Sequence, residues 1–370
     1  MKILYTITKS TIGGAQTHIS QLTSSLVDEN HEVAVVSQPG GWLEEDIKQK
    51  GGKFYPNNCL KNSYNPITLL QGINTTREAI TDFQPDLIST HSSFAGFVGR
   101  LAARKFNMPT IFTAHGWGFS QGTPFMRKNI VKLAEKLAAN FTDKIICVSD
   151  YDKQLAVKNN ITTTDKLTTI HNGTELPEIN FNQFPIKQTD KINIVFVGRL
   201  SKQKAPLLLV KSLSNLPEKL QQKIKLTIIG DGPKQTKINQ FLSDKKLKDQ
   251  VELTGDIPRE QVFEHLKQSH IFTLITNWEG FPRSILEAMS CGLPVVATDV
   301  AGIPEAVTED CWILVEKENQ QEITNAFQQL LSNPDLIEQK GKKARARVEQ
   351  KFSIENTVEQ TNQVYNQLLA

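Results

Sequence analysis

The residues best suited to chemistry lie in "TNWEGFPRSILEAMSCGLPVVATD", residues 276–299, where two carboxylates, Glu279 and Glu287, stand eight positions apart. Pro282 fits a first helical position, where its missing N–H costs nothing. The amides of Arg283, Ser284 and Ile285 then point out of the helix end, which suits a phosphate. Cys291-Gly292 reads as the helix stop, and "LPVVAT" as the next strand. An acid beside an anion site is electrostatically unfavourable unless it binds something other than phosphate. Carboxylates accept hydrogen bonds from vicinal hydroxyls, so a ribose or a hexose fits. The same residues also fit a surface helix on which Arg283 and Glu287 form an i,i+4 pair worth ~0.5 kcal/mol or less, with Glu279 merely solvated.

Other groups of this kind sit just after apolar runs. In "FVGRLSKQKAP", Gly198, Arg199 and Lys204 leave a strand end, and the two cations suit a diphosphate: Arg by forked hydrogen bonds, Lys as a point charge. A solvated basic loop, with Lys202 in it, is the alternative. In "TKSTIGGAQTH", Gly13 and Gly14 precede a helix whose amides could approach an anion, or they make a plain tight turn. Neither the GxGxxG spacing nor a following GK[ST] is present, so the dinucleotide and P-loop patterns do not apply. His115, in "FTAHGWGF", ends a strand and can touch a sugar hydroxyl or handle a proton, and His91 competes for that role. The DxD at Asp150–Asp152 reads as the start of a helix capped by Ser149 or Asp150 rather than as a metal motif.

These groups need a framework. The 370 residues exceed what one core usually serves, so two domains are expected. With 39% hydrophobic and 22% charged residues the chain is ordinary globular protein, and a net charge of +3 leaves no general footprint for nucleic acid. Four cysteines without metal-ligand spacing point to a reducing compartment. The N-terminus does not read as a secretory signal, and no run approaches the ~20 apolar residues of a membrane span. Short apolar runs ("KILYTIT", "HEVAVVSQ", "DLISTH", "TIFTAH", "KIICVS", "KLTTIHNG") alternate with amphipathic stretches. The pattern loosens over residues 173–191, read as a linker. It then restarts with "INIVFVGRL", "IKLTIIGDGP", "QVELTGDIP", "HIFTLIT", "LPVVATD" and "CWILVE". Repeated β-α alternation predicts an α/β protein with two doubly wound parallel sheets, whose ligands bind at the carboxyl ends of strands. Ile354, Val358, Tyr365 and Leu368 predict a terminal helix.

Taken in order, Gly13-Gly14, "TAHG", "HNG", "VGRLSKQK", "IGDGP", "TGDIP" and "EGFPRSILEAMSCGLPVVATDVAGIPE" resemble the retaining family 4 glycosyltransferases of the GT-B fold. In the first half the style resembles bacterial enzymes of capsule, exopolysaccharide or O-antigen assembly. The resemblance implies an acceptor-side Rossmann-like domain over residues 1–178 and a nucleotide-sugar-binding one over 179–352, facing across a cleft. It also implies that the helix over 353–370 returns toward the first. Arg199, Lys204 and the amides at Ser284, Ile285, Gly13 and Gly14 would hold the diphosphate, with Gly198 in the same loop. Glu287 would take the ribose hydroxyls, and Glu279, with Phe281 beside it, the transferred sugar. His115 would lie near the reacting carbon, and Gly230 and Ile257 near the base. The resemblance also implies retention without a divalent metal or other cofactor, because protein cations stabilise the departing diphosphate. The family usually has glycine after the lysine of "GRLxxxK"; this chain has Ala205-Pro206.

The expected partners are a nucleotide-sugar, UDP-linked on frequency with GDP open, and a lipid-linked or saccharide acceptor. The expected location is cytoplasmic. Trp117, Phe119, Phe125 and Met126 beside Arg127, Lys128, Lys132 and Lys136 suit the anionic inner face of a membrane, or else a helix with one core face. Competing functions are a nucleotide-sugar epimerase or hydrolase on the same fold, and an inactive sugar-nucleotide-binding subunit.

Overall fold

A computed structural model of the chain describes residues 1–61, 65–179 and 191–370. It contains two compact units: Met1–Asn172 together with Ile354–Ala370, and Gly173–Ser353. Most of the linker read over residues 173–191 lies outside the described residues.

The first unit holds seven strands: β1 (Lys2–Thr6), β2 (Glu32–Ser37), β3 (Lys53–Pro56), β4 (Leu87–His91), β5 (Thr110–Ala114), β6 (Lys144–Cys147) and β7 (Leu167–Thr169). They form one parallel sheet in the order β3-β2-β1-β4-β5-β6-β7. Both faces are covered, which explains the continuous apolar runs. Ile3 and Tyr5 of β1, with Val33 and Val35 of β2, join one core; Leu4, Ala34 and Val36 join the core on the opposite face. The terminal helix Ile354–Leu369 belongs to the first of these cores through Ile354, Val358, Val364 and Tyr365. Burying such a side chain contributes ~1.5–3 kcal/mol.

The second unit holds β8 (Ile192–Val197), β9 (Ile224–Ile229), β10 (Val251–Gly255), β11 (Ile271–Leu274), β12 (Val295–Thr298) and β13 (Trp312–Val315), all parallel in the order β10-β9-β8-β11-β12-β13. Every apolar run named from the sequence forms a strand, and β3, "KFYP", adds one that was not foreseen. Two Rossmann-like, doubly wound units result. In each the strand order reverses once, between β1 and β4 and between β8 and β11. Loops leaving neighbouring strands diverge at such a point, and ligands of open α/β sheets bind there.

The helix Phe125–Ala139 is built inside out. Its buried side carries Glu135, whose carboxylate meets the fully buried Arg100 at 2.6 Å, with Ala138 and Ala139. Its exposed side carries Met126, Ile130, Leu133 and Leu137, within about 60° of one another around an axis of 3.6 residues per turn. Phe125 and Met126 are each 78% exposed. The core-face alternative for this segment therefore fails for those residues. Trp117 and Phe119 correct the surface reading in the other direction: both are buried, and Trp117 Nε1 donates to the Asp152 carbonyl at 2.8 Å. No described helix is long and apolar enough to cross a membrane.

Candidate active site

In the second unit the loops after β8 and β11 are stitched together. Asn277 donates from its amide to the Gln203 carbonyl and from Nδ2 to the Lys202 carbonyl, each at 2.7 Å. Gln203 Nε2 returns a bond to the Trp278 carbonyl at 2.8 Å, and Thr276 Oγ1 lies 3.0 Å from the Gln203 carbonyl. These bonds fix Lys204 against Glu279, with Nζ 2.7 Å from Oε1 and side chains only 15% and 9% exposed. Thr276 Oγ1 lies 2.9 Å from the same carboxylate oxygen. The acid that looked misplaced beside an anion site is thus held by its own cation. Arg199, one residue past Gly198, is exposed and makes no ion pair among the described residues.

Gly198 and Gly230 shape the floor of this loop pair. The Lys204 stem lies over Gly198, within 3.5 Å of where a Cβ would stand. Gly230, just after β9, has φ +128°, and a Cβ there would be 2.4 Å from the Gly198 carbonyl oxygen, so only glycine fits. Ile257 lies two residues beyond the end of β10 and is half-buried. Ala205 is held at φ 38°, ψ 40°, a left-handed conformation that suits the glycine usual at this place. Pro206 opens the following helix, Pro206–Leu213.

The helix Arg283–Ser290 begins one residue later than the sequence suggested. Pro282 is its cap rather than its first residue. The Ile285 amide turns to the Pro282 carbonyl at 3.3 Å, which leaves Arg283 and Ser284 to present the first amides. Ser284 is half-buried, Ile285 fully buried, and Phe281 is buried against Phe352 with ring centroids 5.5 Å apart. The helix stops at Cys291-Gly292 as expected, with Gly292 at φ +75°.

Glu287 also faces cations. Arg259 Nη2 lies 3.6 Å from Glu287, and Arg259 Nη1 lies 2.9 Å from Glu175. Burial alone would lower the Arg259 guanidinium, but Glu287 and Glu175 outweigh it and hold it above its ordinary value. Arg283 is buried, not part of an exposed surface pair. Burial pushes it down to about 10, with Glu287 opposing that fall and Arg259 adding to it. Arg259 went unread in the sequence because "GDIPRE" carries no spacing that ties it to an acid 28 positions on.

In the first unit, Gly13 precedes the helix Gly14–Asp28, whose start has no side-chain cap. Gly13 is extended, at φ 179°, so its glycine is not required by conformation; a Cβ would instead press on Gln16 Oε1 at 2.7 Å. His115 lies just past β5 and is half-buried, whereas His91, the last residue of β4, is fully buried. Of the two, His115 has the access. Their rings stack with centroids 5.2 Å apart, and His91 Nδ1 lies 2.9 Å from His115 Nε2. Burial, and then His115, lowers His91 well below its ordinary value, so it is neutral. His18 meets the His115 ring edge-on. One ring nitrogen from each of these three lies within 4.8 Å of the others, a donor set of the kind a transition-metal ion takes. The DxD is a helix start: Ser149 Oγ accepts from the Asp152 amide at 3.0 Å.

Two family models divide most of the chain between them. "Glycosyltransferase Family 4" matches residues 12–177 and "Glycosyl transferases group 1" matches residues 178–347. The chain is 29% identical over 316 residues to a component of human phosphatidylinositol N-acetylglucosaminyltransferase, covering 82% of this chain and 63% of that protein, so it spans under two thirds of that relative's length. It is 28% identical to the Escherichia coli UDP-Gal:alpha-D-GlcNAc-diphosphoundecaprenol alpha-1,3-galactosyltransferase, over 82% of this chain and 80% of that one. Its fold matches the crystal structure of Anabaena Alr3699/HepE in complex with UDP-glucose, with a TM-score of 0.80, 18% identity, and 99% and 100% of the two chains covered. With both halves matched and both sheets of the expected kind, the chain belongs to the family 4 glycosyltransferases of the GT-B fold.

Proposed function

We propose that this glycosyltransferase moves a sugar, with retention, from a UDP-sugar to a hydroxyl of a lipid-linked or saccharide acceptor in surface polysaccharide assembly. The Lys204–Glu279 pair, stitched into the reversal point of the second sheet, carries this reading. A diphosphate laid there meets Lys204, Arg199 and the first amides of the helix Arg283–Ser290, with Gly198 allowing close approach. The amides after Gly13 and Gly14 supply a second anion-binding start. Glu287 takes ribose hydroxyls, Glu279 hydroxyls of the transferred sugar, and Gly230 and Ile257 border the base. In the reaction the acceptor oxygen bonds to the anomeric carbon as the bond from that carbon to the diphosphate oxygen breaks. The acceptor proton passes to the departing diphosphate, and His115 holds the sugar at the reacting carbon. Lys204 and Arg199 stabilise the charge that develops, so the proposal needs no divalent ion. UDP and a lipid-linked acceptor follow the galactosyltransferase relative, whose name carries both.

The helix Phe125–Ala139 suggests where such an acceptor is met. Its exposed apolar stripe is flanked by the exposed Arg127 and Lys136, with Lys128 and Lys132 half-buried on the other side of the helix, and such a stripe with basic edges suits the anionic inner face of a cytoplasmic membrane. A thermal-shift panel of nucleotide-sugars tests the donor, since a specific ligand stabilises by mass action. Stabilisation by UDP-sugars, followed by transfer to a polyprenyl-diphosphate-linked sugar, supports the proposal. Isomerisation or hydrolysis of donor without acceptor would replace it with the epimerase or hydrolase reading. Tight donor binding without turnover on any acceptor would leave a protein that only binds sugar nucleotides.

A further inference from the structure

Arg259 stops short of a hydrogen bond that lies almost within its reach. Its Nη1 donates to Glu175 at 2.9 Å, but its Nη2 stays 3.6 Å from Glu287, too far for a hydrogen bond. Nε and Nη2 are both buried and have no hydrogen-bond partner. Leaving a buried donor unmet beside an anion is costly, and closing the gap by roughly 0.5–1 Å would give Nη2 a charge-assisted bond. Something therefore holds the two groups apart.

The guanidinium is a rigid plane of five N–H groups, so a bond at one end fixes the rest. Phe263 backs that plane, with Arg259 Cζ 5.1 Å from the ring centroid, and Glu175 holds the Nη1 end. Glu175 stands on a stretch that Arg345 fastens, its Nη1 donating to the carbonyls of Pro177 and Ser290. Ser290 ends the helix Arg283–Ser290 that carries Glu287, so the tether and the acid share one frame, all within the second unit. In that frame Arg259 neutralises Glu287 without occupying it. The Glu287 carboxylate accepts no hydrogen bond among the described residues, and neither of its oxygens is sealed off as Nε and Nη2 of Arg259 are. Its lone pairs stay open to a hydroxyl.

We propose that Glu175 is a positioning residue: it tethers Arg259 so that the guanidinium cannot close on Glu287, and so keeps that carboxylate free for the ribose hydroxyls of the donor. The tether is a geometric feature of the second unit, whereas its use for ribose rests on the role proposed above for Glu287. Calorimetric titration of the full-length protein with UDP, 2′-deoxy-UDP and 3′-deoxy-UDP tests it, because these ligands differ only in the hydroxyls offered to Glu287. The unaltered protein should bind UDP about three- to tenfold tighter than at least one deoxy analogue, the scale of one hydrogen bond. Glu175→Ala frees Arg259 to pair with Glu287, so UDP should weaken to about the level of that analogue, whose own affinity should not change. Adding Arg259→Met should restore much of the lost discrimination, since the group that closes on Glu287 is then gone. A purely structural defect would instead weaken all three ligands alike and deepen in the double variant. Discrimination unmoved by Glu175→Ala, equal weakening of all three ligands, or no recovery in the double variant overturns the proposal. Equal affinity of the unaltered protein for UDP and both analogues also overturns it. No binding of UDP at all would fault the donor proposed above together with the tether's use for it, a result distinct from any pattern across the three ligands.

Discussion

Glu279→Gln and Lys204→Met should move nucleoside diphosphate affinity in opposite directions. At 2.7 Å, with an effective dielectric of about 20, the pair attracts by about 6 kcal/mol before desolvation is counted. Desolvation of two mostly buried groups removes most of that, leaving ~1–3 kcal/mol for a charge-assisted contact. A diphosphate must compete with Glu279 for Nζ. Glu279→Gln keeps the side-chain shape and an oxygen beside Thr276 but removes the competing charge. UDP should then bind about fivefold tighter, close to 1 kcal/mol. Lys204→Met should weaken UDP by ~1–3 kcal/mol, and both variants should lose transfer, because Glu279 serves the sugar and Lys204 the leaving group. Calorimetric titration with UDP at fixed salt, alongside kcat/KM with the nucleotide-sugar, separates these effects. If both substitutions weaken UDP alike, or Glu279→Gln leaves UDP binding and transfer unchanged, Glu279 and the diphosphate do not compete for Lys204.

Three further outcomes follow from the structure. His91 is neutral when folded but titrates near ~6.5 when unfolded, so below that pH the unfolded chain binds the extra proton. Stability should therefore fall with falling pH, by up to ~1.4 kcal/mol per unit below about pH 6, and urea midpoints of His91→Gln should lack this component. Arg100→Ala or Glu135→Ala should each cost ~3–5 kcal/mol in urea unfolding by stranding a buried charge, whereas the double Arg100→Met/Glu135→Leu should recover much of it. Ala205→Gly should raise the melting temperature slightly. Relief of ~1 kcal/mol or more of left-handed strain exceeds the ~0.4–1 kcal/mol of added freedom in the unfolded chain, and Ala205→Val should lower the melting temperature.

The sheets were legible because strands buried on both faces must be continuously apolar, as "IVFV" in β8 and "PVVAT" before and through β12 are. β3 escaped because "KFYP" is short, begins with lysine, ends with proline and stands at a sheet edge. Gly198, Lys204 and Glu279 were legible as motifs, but their contact was not: it depends on Gln203 and Asn277, amides without a pattern of their own. The His91–His115 pair likewise arises from the register of β4 against β5, which one sequence does not reveal. The amphipathic pattern of residues 125–139 was visible, yet which side faced inward was decided by Arg100, distant in sequence, drawing Glu135 into the interior.

The terminal helix has a consequence for biogenesis. Residues 354–369 complete the core beneath Tyr5 and Ile19, so the first unit stays unfinished while the ribosome is still making the second. The second unit, uninterrupted in sequence, can mature beforehand as a nested insert, reversing the usual order in which the domain synthesised first folds first. Until those last turns arrive, an oily groove on the nascent first unit lies open, and that interval is when a chaperone has most to hold.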